Sequence, residues 1–583
     1  MTTATGRLRL GQPRGSAGGS EGWLFYAAAA VAGFLLIVLI ARTGAIATAT
    51  ENNSDLAAPI VVAKTAHQYS HAQIITGRLG WWGPLWLLEL FRSTPLSGFF
   101  DTAAPVVLAI LVPLLVAVQA WRLWGATAAV TVALMALSVG GATWAAGLGG
   151  WSVHAPVWWT GGFVALWSVW LAGIADLRRG VAAAVVGLVL AALIGIVGSG
   201  DQLMLAAAEI PLAVGGLYLL SHRRWLHAAG LLLVAALGLA ATGIVASIAR
   251  DHALLRQVIP ITSLPFEQLG TSFSNTLLAL ESVWQGPVPL PGHGYDLLTN
   301  IGALAGYLGA FLVVVAVAGV AVAIVRWAAT VWSREPRRLL PVLAPGPELQ
   351  RGAWIAVWGT MLIAYLAAFG GTSVQGALGN PISRYLYGVP LAAGAMLAPV
   401  IASRRPWPTV ALALGLALVA AIGLIARSPW SPNLQTDVSR SQLFARIKTV
   451  AAQQHLTRGF ASYWISYPLT ISSNYKLDVR PAGACIKPVG WVCTMYLNYI
   501  DQAYAYHPDT RSFLLVDNSP AAHIPYPPAE IITPPVNVKP QQVIPIGDGI
   551  TMEIFSTDFA RYMRGDYNLG DPRLFRGGPL PPS

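Results

Sequence analysis

The stretch Glu51-Asn52-Asn53-Ser54-Asp55-Leu56-Ala57-Ala58-Pro59 follows the first long apolar run of the chain and precedes a segment rich in His, Arg and Trp. That apolar run, from about Trp23 to Ala41, is longer than the roughly 7–15 residues of a signal-peptide core. Ala45-Ile46-Ala47 resembles a cleavage site, yet the length of the run reads as a retained first span. Residues 1–22 hold Arg7, Arg9 and Arg14 among Gly and Ser and read as a disordered cytoplasmic tail. Glu51 and Asp55 then lie just beyond the outer end of a membrane helix, in a first outer loop of residues 43–102.

The composition agrees. The chain has 583 residues, 55% of them hydrophobic and 10% charged, with a mean hydropathy of +0.59. A soluble domain carries roughly a quarter charged residues. Apolar runs of about twenty residues recur, each long enough to cross a bilayer as a helix. The expected class is a polytopic α-helical membrane protein. The net charge of +11 does not point to nucleic acid. Arg and Lys sit in short clusters between apolar runs, where they set orientation, and no nucleic-acid-binding motif accompanies them.

Taken in order, the basic clusters alternate. Arg122, Asp176-Leu177-Arg178-Arg179, His222-Arg223-Arg224, Arg326 to Arg351 and Arg404-Arg405 fall on one side. Gly149 to His154, Gly198 to Gln202, Arg250 to Asn300 and Gly379 to Tyr385 fall on the other. The count is about eleven spans within residues 23–427. An odd count places residues 428–583 on the outer face. That part changes character, with short β-like runs at Ser512–Val516 and Thr551–Phe555. It reads as a separate α/β or mainly β domain, large enough for its own core. Cys485 and Cys493 lie there among turn residues, and an extracytoplasmic disulfide is the natural pairing. A free cytoplasmic pair is the alternative.

Several residues are candidates for chemistry. Glu51 and Asp55 are four apart and share a face if helical. A carboxylate there can act as general base on an acceptor hydroxyl or hold a divalent ion. The plainer reading is a solvated loop acid or a helix cap at Ser54 or Asp55. Asp201 sits at the outer mouth of spans five and six, where a turn residue is the bland reading. Glu209 lies deeper, and an intramembrane acid marks a functional or paired site by default; Pro211 follows it and allows a helix break. Arg384, in Ser383-Arg384-Tyr385-Leu386-Tyr387, can grip a phosphate bidentately at the bilayer surface or snorkel to headgroups beside belt tyrosines. Arg78, Arg92, Arg250 and Arg256 are lesser candidates for that role. His67 and His71 are four apart, but no further metal ligands are marked by spacing. Trp81, Trp82 and Trp86 read as an interfacial helix, with a sugar-stacking platform as the sharper alternative. No Walker A, dinucleotide or nucleophile-elbow motif occurs in a credible context.

The layout resembles the GT-C superfamily of membrane glycosyltransferases, in its actinobacterial, arabinofuranosyltransferase-like form. The resemblance rests on Asn53-Ser54-Asp55 after span one, the aromatic segment Gly80 to Phe91, Arg384-Tyr385-Leu386-Tyr387 at the start of a late span, and a closing soluble domain. Gly459-Phe460-Ala461-Ser462-Tyr463-Trp464 also resembles outer-domain segments of such proteins. Many members carry two adjacent acids in loop one; here the nearest acids, Glu51 and Asp55, are not adjacent. The resemblance implies inverting transfer of a hexose or pentose from a polyprenyl-phosphate sugar to an envelope glycan or glycolipid. It implies Asp55 as general base, with Glu51 beside it. Arg384 and Tyr385 would serve the donor phosphate, and Asp201, Arg78 and His67 would line the substrate cavity. It names no certain cofactor beyond a divalent cation as an option. The implied location is a bacterial plasma membrane, cell-wall side. High Ala, Gly and Arg with little Lys points to a high-GC bacterium. A transporter or flippase for a lipid-linked saccharide is the second reading, although no internal repeat is evident. A non-catalytic envelope scaffold is the third.

Overall fold

The structure is a computed structural model and describes residues 19–41, 54–66, 74–76, 97–139, 154–255, 263–285, 297–332, 347–372, 383–402, 407–426, 434–485, 491–494, 499–518 and 538–566. Up to residue 426 these residues are almost wholly helical. In chain order they form α1 (Gly19–Ala41), α2 (Ser54–Ala66), strand β1 (Ile74–Thr76), α3 (Ser97–Trp124), α4 (Ala126–Leu137), α5 (Ala155–Ala172) and α6 (Leu177–Gly198). A π turn (Leu205–Glu209) leads into α7 (Ile210–Ser221), followed by α8 (Trp225–His252), β2 (Ala253–Leu255), α9 (Leu269–Gln285), α10 (Leu297–Trp332) and α11 (Pro347–Gly370). A 3-10 turn (Ser383–Leu386), α12 (Val389–Ala402) and α13 (Trp407–Ala426) complete this part.

Five helices carry segments long and apolar enough to cross a bilayer: Ala104–Trp124, Arg178–Gly198, Trp225–Ile248, Gly302–Ala328 and Pro347–Gly370. Shorter apolar segments occupy α1, α4, α7, α12 and α13. Against the roughly eleven crossings expected from the sequence, five helices among the described residues reach full-span length.

One segment differs from expectation. The outer segment from Arg250 to Asn300 is broken by prolines, yet α9 occupies the proline-free interval between Pro265 and Pro287. Its Ser272 hydroxyl donates to Gly370 O at the end of α11, and Leu264 N–H donates to Gly371 O at 2.9 Å.

Cross-helix hydrogen bonds define the two ends of the bundle. At one end Arg351 Nε donates to Leu123 O (2.8 Å), Gln350 Nε2 to Val169 O (3.3 Å) and His227 Nε2 bonds Ile174 O (2.9 Å). Arg122, Arg178, Arg179 and Arg224 belong to the same end by chain continuity. Asp176 caps α6 there, accepting from Arg179 N–H at 2.8 Å. The opposite end holds the start of α5, the end of α6 and the ends of α8 and α11.

A three-stranded sheet forms at that opposite end. β1, from the first loop, pairs in parallel with β2, which continues directly from α8, and antiparallel with β6 (Tyr499–Ile500) of the C-terminal part. These three segments therefore lie on one side of the bundle.

The C-terminal part is α/β, one of the two classes expected. After α14 (Leu434–Gln453) come β3 (Arg458–Ala461), α15 (Tyr463–Ser472), β4 (Asp478–Ala484), β5 (Val492–Thr494), β7 (Ser512–Asp517), β8 (Gln542–Gly547), β9 (Ile550–Phe555) and β10 (Met563–Asp566). They form a sheet of order β10-β5-β4-β3-β7-β9-β8. β3, β4 and β7 are parallel, with α15 as the crossover from β3 to β4. Alternation sorts the core: Phe513 and Leu515 pack with Phe444, Ile447, Ile465 and Leu469, while Leu514 and Val516 pack with Phe460, Tyr504 and Phe559. Cys485 and Cys493 form the expected disulfide, their Cα atoms 5.1 Å apart, at the end of the β4–β5 pair.

A buried ion pair anchors this sheet. Arg458 Nε lies 3.0 Å from Asp558 Oδ2, and its NH2 donates to Ala503 O (3.0 Å) and Ala505 O (2.9 Å). Asp558 in turn accepts from His507 N–H and Ala560 N–H, each at 3.1 Å.

Candidate functional site

At the end of the bundle away from the basic clusters, three elements bring polar side chains together. His154 sits at the N-terminus of α5, with Pro156 in the first turn, where a missing N–H costs nothing. Asp201 follows α6. Its Oδ2 is hydrogen-bonded to His154 Nδ1, and its Oδ1 accepts from Leu203 N–H at 2.9 Å. Both residues are 8% exposed. Tyr385, from the 3-10 turn before α12, packs its ring against the imidazole, with centroids 4.4 Å apart. A carboxylate accepting two bonds makes Nδ1 the donor, so the ring presents Nε2 on its other side. Among the described residues Nε2 has no partner.

Two glycines let this arrangement close. A Cβ on Gly388 would stand 2.7 Å from Cζ of Tyr365 and 2.9 Å from its hydroxyl. Only a bare backbone lets the tyrosine turn lie against α11 here. Tyr365 also lies within electrostatic range of Asp201. A Cβ on Gly161 would stand 2.9 Å from Ala207 O, so α5 meets the π turn directly.

That π turn settles the reading of Glu209. The helix is widened and not broken, and Pro211 falls in the first turn of α7. Glu209 is buried and its Oε2 has no hydrogen-bond partner.

One helical turn along α5 from His154, Trp158 lines a small apolar cavity together with Ala109, Pro113, Ala136, Tyr387, Pro390 and Leu391. Pro113 lies inside α3 and cannot donate to the carbonyl of Ala109, four residues back. The Trp158 indole N–H is buried without a partner. The cavity is thus hydrocarbon-lined, with isolated polar atoms, and sits beside the His154–Asp201–Tyr385 group.

The remaining expected site residues divide clearly. Asp55 lies in the first turn of α2, in agreement with a helix starting at Ser54; its side chain lies outside the described residues. The backbone of Arg384 belongs to the same 3-10 turn as Tyr385, and its side chain also lies outside them. Glu51, His67, His71, Arg78, Trp81, Trp82, Trp86, Arg92 and Arg256 lie outside the described residues, as does the side chain of Arg250.

Helix α2 packs along α15 of the C-terminal part. Lys64 Nζ lies 4.2 Å over the ring of Tyr475, just past the end of α15. The two helices therefore run in the same direction. Their starts, Ser54-Asp55 and Ser462-Tyr463, fall at the same end of the pair. This joins two sequence motifs, at Ser54-Asp55 and at Ser462-Tyr463, that lie far apart in the chain.

Sequence reading singled out Asp201 and Tyr385 but missed the role of His154, which it passed over as part of an outer turn. Its partner is 47 residues away, and no local spacing encodes that pairing. Among the described residues no three His, Cys, Asp or Glu side chains gather as a metal site.

No family model matches the chain, and no curated protein matches it. Among solved structures it is similar to the Archaeoglobus fulgidus oligosaccharyltransferase tethered to an acceptor peptide. That match is 15% identical, covers 84% of this chain and 69% of that one, and has a TM-score of 0.35. A likeness at that level carries no argument about fold or activity.

Proposed function

We propose that this chain is a membrane glycosyltransferase that moves a sugar from a polyprenyl-phosphate donor to an envelope glycan or glycolipid. The observation that carries this reading is the convergence of Asp201, His154 and Tyr385 beside an apolar cavity, at the end of the bundle opposite the basic clusters. The positive-inside rule makes that end extracytoplasmic. A lipid-linked donor needs such a place: hydrocarbon contact for the lipid, and polar groups at the bilayer surface for phosphate and sugar. The C-terminal α/β domain and the first loop meet there through the shared β2-β1-β6 sheet, which supports an acceptor-handling role for that domain.

In the proposed step Asp55 takes the proton of the acceptor hydroxyl. The acceptor oxygen bonds to the anomeric carbon from the face opposite the phosphate. The bond from that carbon to the phosphate oxygen breaks, and its electron pair leaves with the phosphate. Arg384 and neighbouring groups stabilise the charge. Configuration inverts. Glu51 lies on the same segment as a secondary acid, and Arg78 and His67 belong to the first outer loop.

The test is transfer from a panel of radiolabelled polyprenyl-phosphate sugars to envelope acceptors by purified wild type and Asp55→Asn. Transfer by wild type and none by the variant, both folded, is expected. An Asp55→Asn protein with full activity removes Asp55 as the base. Donor lipid crossing proteoliposomes with no transfer by wild type turns the reading to a flippase.

A further inference from the structure

The first turn of α2 is not closed by the helix alone. Pro59 has no N–H to give to the carbonyl of Asp55, four residues back, and its ring crowds that carbonyl. A helix of 13 residues is also marginal in water without packing. The place of Asp55 is therefore set by whatever α2 packs against.

Those neighbours belong to the C-terminal part. Among the described residues α2 packs most on α15, and then on β6. Ala57, Ala58, Val61 and Val62 are buried in the apolar cluster that also takes in Tyr463, Tyr467 and Ala503. Helix α15 divides its sides accordingly. Ile465 and Leu469 join the core of its own sheet, while Tyr463, Tyr467 and Ile471, at steps of one turn, pack into the cluster shared with α2. The Tyr463 and Tyr467 rings stand edge to face with centroids 5.8 Å apart. At the far end of the pair, Lys64 lies over Tyr475, and Asn474 and Tyr475 both take left-handed backbone, with φ of 52° and 59°. An aromatic residue keeps that conformation only where its surroundings hold it. Strand β1, which follows α2 in the chain, is paired with β6 as well. The first loop is thus fastened to the C-terminal part at α2 and again at β1.

We propose that the C-terminal domain positions the base of the transfer step: Tyr463 and Tyr467 of α15 seat α2, and through it fix Asp55. The proposal rests on the glycosyltransferase reading with Asp55 as base. Both tyrosines are positioning residues and take no part in the chemistry. The domain then sets the turnover rate as well as meeting the acceptor.

The experiment combines amide hydrogen exchange with transfer kinetics on the full-length protein in nanodiscs. It compares wild type, Tyr467→Ala, Ala58→Leu, Asp55→Asn and the double variant Asp55→Asn with Ala58→Leu. An added side chain at the buried Ala58 should raise exchange of the α2 amides roughly tenfold to hundredfold, with β3, β7 and α5 protected as in wild type. Tyr467→Ala should act in the same direction. Ala58→Leu leaves the C-terminal core untouched and carries the test where Tyr467→Ala loosens β3. In both variants kcat should fall roughly hundredfold, as for a reacting group displaced by about 1 Å, with the acceptor KM unchanged. Added to Asp55→Asn, Ala58→Leu should cause no further loss, because the group it displaces is already gone. A merely structural role gives a further loss of the same size, and that result overturns the proposal. So does wild-type exchange of α2 in both variants, or raised exchange with kcat unchanged. Full activity of Asp55→Asn removes the base and the positioning role with it. No transfer by wild type from any donor, with α2 exchange still raised in the variants, overturns the transferase reading and leaves α2 seated on the domain.

Discussion

Two pairs with a buried Asp, Arg458–Asp558 and His154–Asp201, are built to different specifications. In the C-terminal sheet, Arg458 meets partners on its own chain: Asp558 Oδ2 lies 3.0 Å from Nε, and the carbonyls of Ala503 and Ala505 accept from NH2. Asp558 spends its oxygens on two backbone N–H groups as well. At the end of the helical bundle, Asp201 bonds His154 Nδ1 and accepts from Leu203 N–H, and His154 Nε2 has no partner among the described residues. A closed network holds elements together. The second joins the start of α5 to the end of α6 beside the Tyr385 turn. The same residue chemistry thus reads as architecture in one place and as a site in the other.

The largest way to test the closed side is Arg458→Ala. Removing one partner of a buried pair costs about 3–5 kcal/mol, since the other charge is left uncompensated. Hydrogen-exchange protection of the β3 and β7 amides should fall accordingly, while protection in α5 and α6 stays. Protection unchanged in β3 and β7 would show the network to be dispensable.

Next is the disulfide. Cys485→Ser with Cys493→Ser opens a loop of eight residues' separation, which by chain entropy corresponds to about 2.5 kcal/mol. Denaturant unfolding of the C-terminal domain should shift by that order.

Beside the His154–Asp201 pair, Gly388→Ala drives a methyl into Tyr365. Overpacking of this kind costs about 1–3 kcal/mol, and here it displaces the Tyr385 turn from His154. Transfer should fall more than stability does. A variant with wild-type transfer would separate the turn from the site.

The smallest effect concerns Glu553, on β9. Burial raises its carboxyl above the ordinary range, and Oε2 has no partner. A group whose folded pKa is raised binds its proton more tightly when folded. Its contribution is fully present below the unfolded value and is lost as pH rises through the folded one. The C-terminal domain should therefore lose a little stability between mildly acidic and neutral pH. Glu553→Gln should flatten that slope in unfolding titrations run across the range.

Much of the helical plan was legible because apolar length and Arg placement act locally. Basic residues such as Arg178, Arg179 and Arg351 lie at one end of the bundle, as their positions between apolar runs implied. The disulfide was legible because Cys485 and Cys493 are near neighbours in a turn-rich segment. Helix α9 was not, because flanking prolines masked a continuous interval between Pro265 and Pro287. The candidate site was half legible. Asp201 and Tyr385 drew attention as polar residues at span ends, yet their convergence runs through His154, and tertiary packing alone joins α5, α6 and the turn before α12. The pairing of α2 with α15 was likewise unreadable, since neither motif carries a signal for the other.

The most direct test of the central claim is sugar transfer from polyprenyl-phosphate donors by wild type and Asp201→Asn, with the unfolding temperature measured on the same samples. Asn still accepts the Leu203 N–H bond, so the fold should survive with a shift of only a few degrees. The account predicts transfer by wild type and a loss of roughly tenfold to hundredfold in the variant. Transfer at the wild-type rate by Asp201→Asn would contradict it, and would make the pair at the end of α6 another closed structural contact like that of Arg458.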